Sequence, residues 1–129
     1  MTKKSEMNRY FSDEELEKGM ELVLADMEKH KAIGWTLVTF DEICKWLKVN
    51  KGNCKGNSSY SIKHCVESDW RVAHQTSNMY CANNWVKYAM VYLGWGFVEK
   101  LKYRTRSIDM KPCFADLMRN DVNWYPNGM

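Results

Sequence analysis

Residues 77–117 read SNMYCANNWVKYAMVYLGWGFVEKLKYRTRSIDMKPCFADL, and the fold class turns on how this stretch divides into elements. Its first part predicts a long helix over 77–93. On a wheel of about 100° per residue, Met79, Ala82, Trp85, Val86, Ala89, Met90 and Leu93 share one side. Tyr80, Asn83, Asn84, Lys87 and Tyr88 collect on the other, and Gly94 or Gly96 stops the helix as glycine does just past a C-terminus. Phe97 and Val98 then open a strand running to about Arg106, in which Lys100, Lys102, Arg104 and Arg106 alternate with Leu101, Tyr103 and Thr105. The two-residue period of a strand puts all four cations on one face and leaves the other for packing. Ser107, Ile108, Asp109 and Met110 make the turn. Pro112 to Leu117 return as the partner strand, with proline at its first position, where a missing N–H does little harm.

Upstream, two helix starts are marked by capping boxes. Ser12 with Glu15 opens a helix that carries Leu16, Met20, Val23, Leu24 and Met27 on one face and runs to about His30, with Gly34 in its exit. Thr39 with Glu42 opens a shorter helix with Ile43, Trp46 and Leu47 inward. Trp35, Leu37 and Val38 before it form either a brief strand or a hydrophobic staple. Asparagines, glycines and serines over 49–59 predict loop. Residues 60–74 place Ile62, Val66, Trp70 and Ala73 on one helical face while tolerating an extended reading; helix is the preferred one. Residues 1–11 read as a polar, flexible arm, 12–119 as one domain and 120–129 as a tail that packs Trp124 and Tyr125 or frays.

A helix, a short capped helix, a further helix and a charged hairpin, in that order, resemble the winged helix–turn–helix superfamily. The likeness rests on the helix ending in L-G-W-G-F-V before the basic hairpin, and on TFDEICKWL (39–47), which is similar to the family's threonine-capped second helix. It covers roughly residues 12–117. It implies an α+β, mostly helical fold: a winged-helix-like bundle of three or four helices with a C-terminal β-hairpin. It also implies that 77–93 lies in the major groove of double-stranded DNA and that the 97–117 hairpin grips the phosphate backbone or minor groove. On that footing Asn83 and Asn84 pair with adenine, Tyr80 and Tyr88 reach phosphates or stack, and Lys87 binds phosphate or guanine. Lys100, Lys102, Arg104, Arg106 and Lys111 position the domain without reading sequence. The connection after TFDEICKWL is long for the family. Either 60–74 is an inserted helix, or the helix pair is 60–74 with 77–93.

The composition bounds the rest. A chain of 129 residues, 45% hydrophobic and 27% charged, is large enough for one core without metal or disulfide support. The net charge of +3 conceals a gradient: residues 1–30 hold eight acids against five bases, whereas 77–111 hold six bases against two acids. Five cysteines are an odd number, and no apolar leader is legible, so the expected setting is cytoplasmic, with free thiols and no membrane span. Cys54, His64, Cys65 and His74 are possible zinc ligands, but no C-x₂₋₄-C knuckle organises them, so no metal or cofactor is expected. No P-loop, G-x-G-x-x-G or G-x-S-x-G frame is present, and no cysteine–histidine arrangement has a third orienting group. The chain therefore reads as non-enzymatic. The expected role is a DNA-binding regulator or accessory factor of transcription or replication. The alternative is an effector or inhibitor, of viral or mobile-element type by conjecture, that sets its aromatic and basic surface against a protein partner with an acidic patch.

Overall fold

The structure, a computed structural model, describes residues 11–99 and 122–126. It is α+β and mostly helical. Helix α1 spans Asp13–Ala32, strand β1 Thr36–Leu37, helix α2 Phe40–Val49, a single turn α3 Lys51–Cys54, strand β2 Asn57–Ser58, and helix α4 Ser59–His74. Strand β3 (Met79–Tyr80), helix α5 (Asn83–Tyr92), strand β4 (Gly96–Glu99) and strand β5 (Val122–Tyr125) follow.

Both capping boxes form. Ser12 Oγ accepts the Glu15 N–H at 3.2 Å and the Glu15 carboxylate accepts the Ser12 N–H at 3.2 Å. Thr39 and Glu42 repeat the exchange at 3.2 and 3.1 Å. α1 buries Gly19, Val23 and Met27 and rests Leu16 and Met20 on the core, while Leu24, expected inward, is exposed. α2 buries Phe40, Ile43, Cys44 and Leu47. α4 buries Ile62 and Val66 as its spacing predicts, but leaves Ala73 exposed. It ends on Gln75, whose φ of 51° is left-handed and costs a non-glycine residue about 1 kcal/mol. The bonds Gln75 N–H to Val72 and Thr76 N–H to Arg71 close the helix end and hold that conformation.

The predicted helix over 77–93 is cut to its second half, because the backbone of 78–81 bonds elsewhere. Thr36 N–H donates to the Asn78 carbonyl and Val38 N–H to the Tyr80 carbonyl, both at 3.2 Å, which pairs β1 and β3 in parallel. Cys81 N–H donates to the Glu67 carboxylate of α4 at 2.9 Å. These partners draw the chain out straight until Ala82 caps α5.

α5 packs against α4, α2 and α1, and every residue from Trp85 to Val91 is buried. A helix covered on all sides is a core element, not a surface one. Ile43, Leu47, Val66, Trp85, Val86, Met90 and Trp124 are fully enclosed around it.

The larger sheet has the order β2–β5–β4. β5 runs antiparallel to both neighbours, with Phe97 opposite Trp124, Glu99 opposite Val122, and Asn57 opposite Trp124 on the other edge. One expectation changes here. The segment 120–129, read as a tail, supplies the central strand and buries Trp124 completely, so the domain extends past residue 119. The partner of β4 is Val122–Tyr125, whereas the return strand expected at Pro112 to Leu117 lies outside the described residues. At the other terminus Phe11, read as part of a flexible arm, is buried in the core.

Candidate nucleic-acid interface

Glu67 and Asp26 fix the helices that frame the surface. The Glu67 carboxylate is buried on α4, accepts the Cys81 N–H, and lies 3.4 Å from Lys63 Nζ and 3.6 Å from His64 Nδ1. A buried carboxylate with a cation and a backbone donor is a structural tie between α4 and the entry to α5. Asp26 of α1 accepts the Trp85 indole N–H of α5 at 2.8 Å. His30 Nδ1 lies 2.8 Å from the Asp26 carbonyl, which can only accept, so Nδ1 is the donor in this contact. Its ring stacks on Tyr80 at 5.0 Å.

The residues expected to read DNA from the 77–93 helix do not share an exposed face. Lys87 is 3% exposed and Tyr88 1%, both enclosed by neighbouring helices. Burial pushes the Tyr88 phenol up to about 12. Tyr80 sits half-buried on β3 among His30, Trp35 and Trp85. Asn83 turns Oδ1 into the interior, where it has no hydrogen-bond partner among the described residues, and Asn84 alone is exposed, at the first turn of α5. Groove reading by this helix is therefore corrected: its middle is core. The wheel misleads because only Lys87 among residues 85–91 is charged, so the side taken as polar is not polar enough to face water.

Lys100, Lys102, Arg104, Arg106 and Lys111 lie outside the described residues. The strands on either side of them are described. β2 and β4 both run opposite to β5 and hence in the same direction. Ser58, which leads into α4, and Glu99, which leads into the basic segment, end at the edge of the sheet where β5 begins. The first turn of α4, capped by Ser58 and carrying the exposed Tyr60 and Ser61, starts from that edge, with the exposed His64 one turn on.

A second basic feature has no counterpart among the residues expected from sequence. Residues 43–66 carry Lys45, Lys48, Lys51, Lys55 and Lys63 and no carboxylate. Lys45, Lys48 and Lys55 are exposed, Lys51 is half-exposed, and Lys63 is committed to Glu67. The signal is legible as an acid-free run, but the turn chemistry of 49–59 predicts loop there and masks it. Between α2–α3 and α4 lies an open cleft of about 380 Å³, walled by Trp46, Asn50, Asn53, Asn57, Cys65 and Asp69 among others. The Trp46 indole N–H donates to the Asp69 carboxylate at 2.7 Å across it.

Cys54 backs this cleft, and burial, followed by the nearby Cys65, pushes its thiol up to about 11, which keeps it protonated and a poor nucleophile. Burial and the Glu67 carboxylate likewise push Cys81 up. No group of three or more His, Cys, Asp or Glu side chains is placed to hold a metal ion among the described residues. No described helix is long and apolar enough to cross a membrane. No family model, curated protein or solved structure significantly matches the chain.

Proposed function

We propose that this protein is a non-enzymatic DNA-binding domain of winged-helix type that grips phosphate through its basic segments, with α5 as scaffold and not as reading helix. The helix pair of the resemblance is then α4 followed by α5, and the place of the wing strands falls to β4 and β5. The observation that carries the reading is the strand register. It ends Ser58, the cap of α4, and Glu99, the residue before Lys100, at one edge of the sheet, and on this reading the helix N-terminus and the basic segment that follows serve the same polyanion. Lys45, Lys48, Lys51 and Lys55 add charge in a stretch free of carboxylates.

Phosphate contacts position without specifying sequence, so the domain binds duplexes broadly, with preference supplied by few side chains. Charge reversal tests this. Lys102→Glu with Arg104→Glu, and separately Lys45→Glu with Lys48→Glu, weaken binding to every duplex and reduce the salt slope by about 1 for each phosphate no longer neutralised. Unchanged gel-shift affinity in both double variants overturns the assignment.

A protein partner is the second reading, favoured by one feature. A cleft of about 620 Å³ between α1 and the start of α2 is lined by Leu24, Met27, Trp35, Leu37 and Phe40. Leu24 is 48% and Trp35 38% exposed there, an apolar lining of the kind that anchors partners. Capture of a lysate protein that survives nuclease and is lost in Leu24→Asp favours this reading over DNA.

A further inference from the structure

We infer that the cleft between α2–α3 and α4 is a site for one unstacked, amino-bearing nucleobase. This goes beyond the phosphate-binding reading, since duplex binding by the basic segments does not need it. The cleft's volume of about 380 Å³ falls within the ordinary range of small-ligand sites, roughly 300–1,000 Å³. The Trp46 N–H is already taken by Asp69, so the indole is held as a fixed plate whose remaining offer is its π-face. Ile62, buried beneath, supplies an apolar floor.

The amides define what the ligand must bring. Asn50 donates its side-chain N–H₂ to the Trp46 carbonyl at 2.9 Å, and Asn57 donates to the Asn53 carbonyl at 2.7 Å. A carbonyl partner can only be met by the amide nitrogen, so each Oδ1 is the end left over, and neither has a partner among the described residues. Two fixed acceptors beside an aromatic plate suit a flat ring bearing N–H donors. Adenine, cytosine and guanine carry an exocyclic amine with two N–H bonds, whereas uracil and thymine offer one ring N–H set between two carbonyl oxygens that the acceptors repel. Lys45, Lys51 and Lys55 adjoin the lining residues Trp46, Asn50 and Cys54 in the chain and provide cations for the attached phosphate.

The base can come from a free mononucleotide or from an unpaired position in a strand. Calorimetric titration of the full chain with adenosine, cytidine and uridine monophosphates, with inorganic phosphate, and with short single strands of dA, dC and dT separates the two. Adenine and cytosine ligands bind about two- to ten-fold tighter than their uracil or thymine counterparts, the worth of one hydrogen bond, and phosphate alone binds weakest. Binding of mononucleotides assigns the free source, and binding of strands alone assigns the strand. Trp46→Ala removes about ten-fold or more of base affinity. Cys65→Trp, at an exposed lining position, fills the cleft and abolishes base binding without touching the core. The proposal is overturned if no base-bearing ligand binds, if uracil and adenine bind alike, or if Cys65→Trp leaves base binding unchanged. Any of these results with duplex affinity retained leaves the phosphate-binding reading standing.

Discussion

Glu67 and Trp124 show how single residues decide this chain's course. Glu67 is 3% exposed and accepts the Cys81 backbone N–H at 2.9 Å. Glu67→Ala strands a buried N–H and a half-buried ammonium; the expected loss is about 1–3 kcal/mol, with Glu67→Gln retaining part of it. Urea unfolding of the two variants checks the order. Trp124 stands in a short stretch that reads as a tail, and its fully enclosed ring packs on Phe97 at 5.3 Å. Trp124→Ala is expected to cost about 3–5 kcal/mol, as deletion of a large core side chain does. Together with the raised Cys81 thiol, Cys54 and Tyr88 set the alkaline limit. Their folded values, about 11 and about 12, stand above the ordinary 9 and 10, so the unfolded chain ionises first. Their contribution is complete below about pH 9 and is lost as pH rises through 9–12, first through Cys54 and then Tyr88. Urea midpoints measured at about pH 8, 10 and 11 therefore fall progressively, and Cys54→Ala removes only part of the fall, because the raised Cys81 thiol contributes over the same range.

The helices are legible wherever local chemistry alone dictates them. The S-x-x-E and T-x-x-E boxes place the starts of α1 and α2 to the residue, and the i, i+4 spacing of Ile62 and Val66 finds α4. The half of the 77–93 helix that does not form is lost to partners remote in sequence. Residues 78–81 bond to β1 and to Glu67, and no helical wheel contains those partners. The site is legible to a lesser degree. The basic row at Lys100 to Arg106 stands out by alternation, but the cleft needs Trp46 and Asp69, which are far apart in the chain, to meet. Because α5 is core, Lys87→Glu is expected to impair folding, whereas Asn84→Ala at its exposed first turn leaves the melting temperature near that of the parent chain. A groove-reading helix predicts the reverse pattern, with Lys87→Glu folded and defective only in DNA binding.

At the scale of the whole molecule, a three-helix packing around α5 is clamped by a sheet whose central strand comes from the far end of the chain. That long-range closure puts the start of α4 and both ends of the chain between β4 and β5 on one edge. The acid-rich α1 packs against α5, whereas the acid-free run 43–66 lies in α2, α3 and the first half of α4, so acidic and basic charge sit on different helices. On the proposed function, that division serves a polyanion. The most direct test is the affinity of the full chain for random-sequence duplex DNA between about 50 and 200 mM salt. Log K is expected to fall linearly with log salt, with a slope near −0.9 for each phosphate neutralised and several phosphates in all. Absence of binding at low salt, or an affinity indifferent to salt, contradicts it.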